Sequence, residues 1–162
     1  MRFIETNEIR EWCKDRRIAL AEDDALLDDP TLLHRKRAPY ARGQRSAMES
    51  SVARECVRAL GRWDECLLWV RSWGVWGSSE DWPAYYALRG ARGERRALEK
   101  APGHLFERVD QEDCLRFLAQ VMENAWDADV IIVPKIKRLR ISHDEWVELQ
   151  STTPTEFTPV AV

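Results

Sequence analysis

Several things are missing from this 162-residue chain, and each absence excludes something. No stretch approaches the ~20 consecutive apolar residues that a membrane-spanning helix needs. The longest apolar runs are a few residues, such as Val130–Pro134. The opening MRFIETNEIREW has no basic flank leading into an apolar run, so it does not read as a secretory signal. The expectation is a cytoplasmic protein whose thiols stay reduced. The four cysteines, Cys13, Cys56, Cys66 and Cys114, include no C-x-x-C pair and no histidine close in sequence. They read as small buried hydrophobes, not as a zinc or redox site. There is no P-loop, no G-x-G-x-x-G, no G-x-S-x-G and no H-E-x-x-H. The sequence therefore calls for no cofactor and no metal. A net charge of −3 gives no global attraction for nucleic acid or for an anionic membrane.

What the chain does have is tryptophan. Five of its eight fall between Trp63 and Trp82. Such side chains combine a large apolar area with a polar handle and concentrate in cores and at recognition surfaces. Around them the pattern reads as β, α, a long connection, α, α, β, α, β, β and a short last element. Met1–Glu5 is a short strand, and a helix begins at Thr6 or Asn7 with Ile9, Trp12 and Cys13 at helical spacing. Residues 22–29 hold five acids, and residues 34–45 hold five bases punctuated by Pro39 and Gly43. This two-signed region reads as a mobile connection. Ser46 and Glu49 stand at capping-box spacing. From there Val52, Cys56, Ala59, Trp63, Leu67, Val70 and Trp73 recur at three and four residues, which predicts one long helix ending at Gly74.

A second helix runs through Tyr85, Tyr86 and Leu88 to Gly90 or Gly93, and His104–Val109 can form a strand. Asp110 caps a helix carrying Cys114, Phe117, Leu118 and Val121. Asp129–Val133 is a β-branched strand buried on both faces. It forms an antiparallel hairpin with Arg138–Ser142, where Leu139 and Ile141 alternate with arginines and leave one face wet. Ser142–Glu145 has capping-box spacing and opens a last element with Trp146, Val147 and Leu149. The predicted fold is α+β: a small, mainly antiparallel sheet of about four strands backed by helices in a single domain. Within it, residues 1–45 make an N-terminal strand, helix and mobile charged connection, residues 46–150 the α+β core, and residues 151–162 a flexible tail.

The blocks Trp73–Arg89, Ala101–Phe106, Trp126–Ala128 and Ile141–Leu149 resemble a family of uncharacterised bacterial proteins. These carry W-x-S-S-E-x-W, P-G-H-L-F and S-H-D-E-W segments. The resemblance covers about residues 60–150 and implies only that these blocks share one domain. It suggests a binding locus where Trp76, Ser79, Glu80, Trp82, His104 and His143 converge. The expectation is a non-enzymatic protein-binding module of the immunity or regulatory type, using an aromatic and acidic corner with Trp76 and Trp82 at its edge and a protein as partner. One alternative is a small enzyme using His143, Asp144 and Glu80 for acid–base chemistry. The other is a nucleic-acid binder using the basic groups at 34–45, 89–96 and 135–140.

Overall fold

The computed structural model describes residues 1–40, 47–73, 82–134 and 136–158. They form a seven-stranded sheet in which every neighbouring pair is antiparallel. Its strands are β1 (Arg2–Ile4), β2 (His34–Pro39), β3 (Glu65–Ser72), β4 (Gly103–Glu107), β5 (Asp127–Val133), β6 (Lys137–Ser142) and β7 (Trp146–Ser151), in the order β1-β4-β3-β5-β6-β7-β2. The helices are α1 (Thr6–Asp15), α2 (Ala47–Leu60), α3 (Trp82–Gly90) and α4 (Gln111–Glu123). The α+β class and the antiparallel sheet are as the sequence predicts; the sheet is wider.

Three of the additional strands come from segments with other expected roles. The long helix stops at Leu60, because Gly61 takes a left-handed φ of +77° and turns the chain. Residues 65–72 continue as β3. Cys66 to Val70 are all buried, since β3 is a central strand with apolar layers on both sides. A run apolar at every position satisfies the helical period and the strand period alike, so Trp63, Leu67, Val70 and Trp73 mimicked a stripe. Residues 34–39, read as connection, pair along their whole length with β7 as an edge strand. Its exposed Arg35, Lys36 and Arg37 are the kind of charge that protects a sheet edge from further pairing. Ser142–Glu145 starts no helix. Glu145 adopts φ +60° and its N–H donates to Ser142 O (3.1 Å), closing the β6–β7 hairpin.

The two faces of the sheet differ. On one side α2, α3 and α4 bury the main core, in which Cys56, Phe117, Leu118 and Val121 meet Cys66, Leu68, Val130 and Leu139. Phe157 from the segment after β7 is 4% exposed and joins this core. On the other side α1 and the connection after it form a smaller cluster. Ile9, Trp12, Cys13 and Leu26 cover Leu67, Trp69, Leu105 and Ile131 of β3, β4 and β5. That apolar cluster stops at β5; beyond it Arg138 of β6 is covered by Leu27, and on this side Arg140 and Arg37 turn toward solvent above buried Glu148 and Gln150. All four cysteines are buried and free. No described helix is long and apolar enough to cross a membrane.

Candidate functional site

Strand alternation builds the charged half. Opposed residues in an antiparallel pair share a face, so Arg140 stands between Asp129 and Glu148, and Arg37 stands opposite Glu148. Arg37 donates from Nε and Nη2 to Glu148 Oε2 (3.3 and 3.1 Å), and its guanidinium lies 3.9 Å over the Trp146 ring. Arg138 donates to Gln150 Oε1 and Leu27 O. The carboxylates are recessed beneath the guanidiniums: side-chain exposure is 56% for Arg37 against 10% for Glu148, and 41% for Arg140 against 7% for Asp129. Burial alone would raise the Glu148 carboxyl, but donors from Gln150 and Arg37 more than offset it and hold it below its ordinary range.

Where β5, β6 and β7 meet the β6–β7 turn, this half opens into a cleft of about 240 Å³. It is lined by Arg71, Asp127, Asp129, Arg140, Ser142 and Trp146. Arg71 is held over Trp69 (3.9 Å) and donates to Asp24 O (2.6 Å). Burial raises the Asp129 carboxyl, with Arg140 opposing, and its Oδ1 has no hydrogen-bond partner. At the rim, His143 donates its backbone N–H and its Nδ1–H to Asp127 (2.9 Å each). This raises the imidazole above its ordinary value. Among the described residues no group of three or more His, Cys, Asp or Glu is placed to hold a metal.

The sequence-derived candidates scatter. Trp76, Ser79 and Glu80 lie outside the described residues. Trp82 is half-buried and packs on Trp126 (5.1 Å), in an aromatic nest with Trp73 and Tyr85. His104 is fully buried: its Nε2 faces Tyr85 Oη at 2.5 Å, its Nδ1 faces Leu68 O at 3.3 Å, and burial pushes it down to about 3. Only His143 reaches the cleft rim. β4 and β6 are three strand spacings apart, roughly 14 Å, so His104 and His143 do not converge. Asp144, the acid–base candidate beside His143, is 70% exposed. Of the three basic groups, Arg35 and Arg37 of the first and Arg138 and Arg140 of the last join on the charged half, whereas Lys137 turns to the helix side and donates to Ala59 O. Three of the four arginines of the 89–96 group are engaged at the opposite edge: Arg89 is buried under Phe3, Arg92 pairs with Asp113, and Arg96 pairs with Glu94 and Glu5, while Arg95 is exposed.

The cleft residues Arg71, Asp127 and Asp129 were not singled out from the sequence, and Arg140 was singled out only as part of the basic group at 135–140. The period-2 pattern of β6, in which Arg138 and Arg140 alternate with Leu139 and Ile141, is a signal for Arg140; Arg71, Asp127 and Asp129 lie on β3 and β5, where no local pattern marks them. No protein-family model, no curated protein and no solved structure matches this chain.

Proposed function

We propose that this protein is a non-enzymatic binding module, of the immunity or regulatory type, that holds an acidic protein partner in the cytoplasm through the charged half of its sheet. The observation that carries this reading is the layering of charge: exposed guanidiniums of Arg37 and Arg140 stand above recessed Glu148 and Asp129, and Arg35 beside them pairs with the exposed Asp28. Each guanidinium keeps outward N–H donors in a rigid fork that suits carboxylates. The carboxylates beneath hold the Arg37 and Arg140 forks in place by cross-strand pairing and leave these two guanidiniums outermost, on a chain whose net charge is −3. Such a surface favours fast, oriented association with a complementary acidic one. Nucleic acid is a poorer fit, because the acids underneath weaken the field that phosphates would meet.

The test pairs wild type with an Arg35→Gln/Arg37→Gln double variant. Each is used to capture proteins from the native host's lysate, with the captured partner then produced pure and titrated at several salt concentrations. The expected result is an acidic partner bound by wild type, weakened about tenfold or more in the variant, and weakened by salt. A partner that binds both equally overturns the reading. Binding of wild type to DNA or RNA with a steep salt slope, lost in the variant, replaces it.

A further inference from the structure

The sheet treats its two edges differently. At one edge β1 is three residues long, and Arg96 Nη2 donates to Phe3 O (3.1 Å), so a guanidinium already occupies a carbonyl of that strand. At the other edge β2 is six residues long and pairs, among the described strands, with β7 alone. Tyr40 N–H donates to Glu145 O (2.9 Å), one step beyond the Pro39↔Trp146 pair. Bonded and unbonded pairs alternate along an antiparallel ladder. His34, Lys36 and Ala38 therefore point their backbone groups at β7, and Arg35, Arg37 and Pro39 point theirs away. Pro39 fits this phase, since the N–H that it lacks would face outward. Among the described residues the backbone N–H and C=O of Arg35 and Arg37 have no partner.

Resting on the reading of an acidic partner above, we propose that this edge receives an acidic extended segment of that partner as an antiparallel eighth strand, with carboxylates at alternate positions opposite Arg35 and Arg37. The two outward N–H and C=O pairs lie about 7 Å apart along β2, the spacing at which every second residue of an added strand presents its own pair. Opposed residues share a face, so an acid opposite each arginine lies beside its guanidinium. Arg37 engages Nε and Nη2 with Glu148, and its Nη1 has no partner among the described residues. Arg35 is paired with Asp28, whose side chain is 69% exposed, and such a surface pair is weak enough to exchange. Lys36 between them is exposed and adds a third positive charge. The same cations disfavour other occupants. A second copy of β2 would set Arg35, Lys36 and Arg37 against themselves, the repulsion by which charged edges stay single. An uncharged strand gains only the backbone bonds. A sugar–phosphate backbone has no N–H to give to the Arg35 and Arg37 carbonyls.

The test uses isotope-labelled full-length protein and the end-blocked peptide Thr-Val-Glu-Val-Glu-Val-Thr, beside two controls. One carries N-methyl groups on both glutamate nitrogens, which keeps the carboxylates and removes the donors. The other replaces both glutamates by lysine. Amide shifts and hydrogen exchange at Arg35 and Arg37 are followed by NMR. The glutamate peptide is expected to bind saturably and to slow exchange at both, with the methylated peptide at least about tenfold weaker and the lysine peptide not binding. Arg35→Pro removes an outward N–H and no ladder bond, so it is expected to weaken the glutamate peptide more than Arg35→Gln does. The methylated peptide needs no variant and serves if the proline variant does not fold. Equal binding of the methylated peptide, no saturation, or responses confined to Arg140 and Trp146 overturn the proposal. The two readings fail separately. A captured acidic partner that needs Arg35 and Arg37 yet leaves their amide exchange unchanged overturns strand addition alone. Saturable strand addition by the peptide, with a captured partner indifferent to both arginines, supports the edge site and overturns the reading of the partner.

Discussion

Two histidines show how burial and partners decide what a side chain does. His104 sits in the main core, where desolvation holds it neutral to about pH 3 and Tyr85 is placed to supply the hydrogen bond its Nε2 needs. Because its folded value lies below the ordinary 6.5, unfolded chains bind protons that folded ones refuse, and this residue's contribution to stability is lost as pH falls from 6.5 toward 3. Tyr85→Phe leaves that nitrogen without a donor. It is expected to lower stability by about 1–3 kcal/mol in denaturant unfolding at neutral pH, with the fold intact by circular dichroism. His143 behaves in the opposite sense. Its hydrogen bond to Asp127 raises it, so its contribution is present below the ordinary value and lost as pH rises through the folded one. NMR titration is expected to place the His143 midpoint above 6.5 in wild type and to return it toward 6.5 in Asp127→Asn, with no movement of His104.

At the scale of elements, the close approach of α1 and β1 to β4 is set by Gly103. A Cβ there would come within 2.6 Å of Ile4 Cγ1 and 2.8 Å of Ile9 Cδ1, both inside the second apolar cluster. Gly103→Ala is therefore expected to displace α1 and to cost about 1–3 kcal/mol, readable as a lower Tm together with faster amide exchange in residues 6–15. Much at this scale was legible in the sequence. Helices α1, α3 and α4 and the β5–β6 hairpin follow from periodicity, caps and β-branched composition. What misled was β3, whose unbroken apolar run carries no period of its own. The basic segment at 34–39 misled as well, because a charged edge strand has the composition of a loop.

Across the whole molecule, the division of labour is between a helix-covered face and a half-covered one. Arg35→Gln/Arg37→Gln touches only the outer layer, and Glu148 keeps the Gln150 donor at 2.7 Å. The double variant is accordingly expected to change stability by no more than about 1 kcal/mol, while it weakens partner binding and flattens the dependence of binding on salt. A large drop in Tm would show that the arginines act as packing over β7 and not as a presented surface.

The sequence by itself determined the α+β class, the buried fate of the cysteines and the pairing of the β5–β6 hairpin, while the face expected to be wet is mostly covered, with Arg138 buried under Leu27. The first three depend on local composition and on periods of two or 3.6 residues, which neighbours along the chain already express. Only the tertiary structure decided the candidate site. Arg71, Asp127, Asp129, Arg140 and Trp146 lie on four strands and come together through sheet order and register. Sheet order is set by contacts between residues far apart in sequence, and no local spacing records it. The same holds for coverage: whether α1 shields β3 or β6 depends on which apolar surfaces meet when the chain closes, and that choice left the β6–β7–β2 half charged and in contact with solvent.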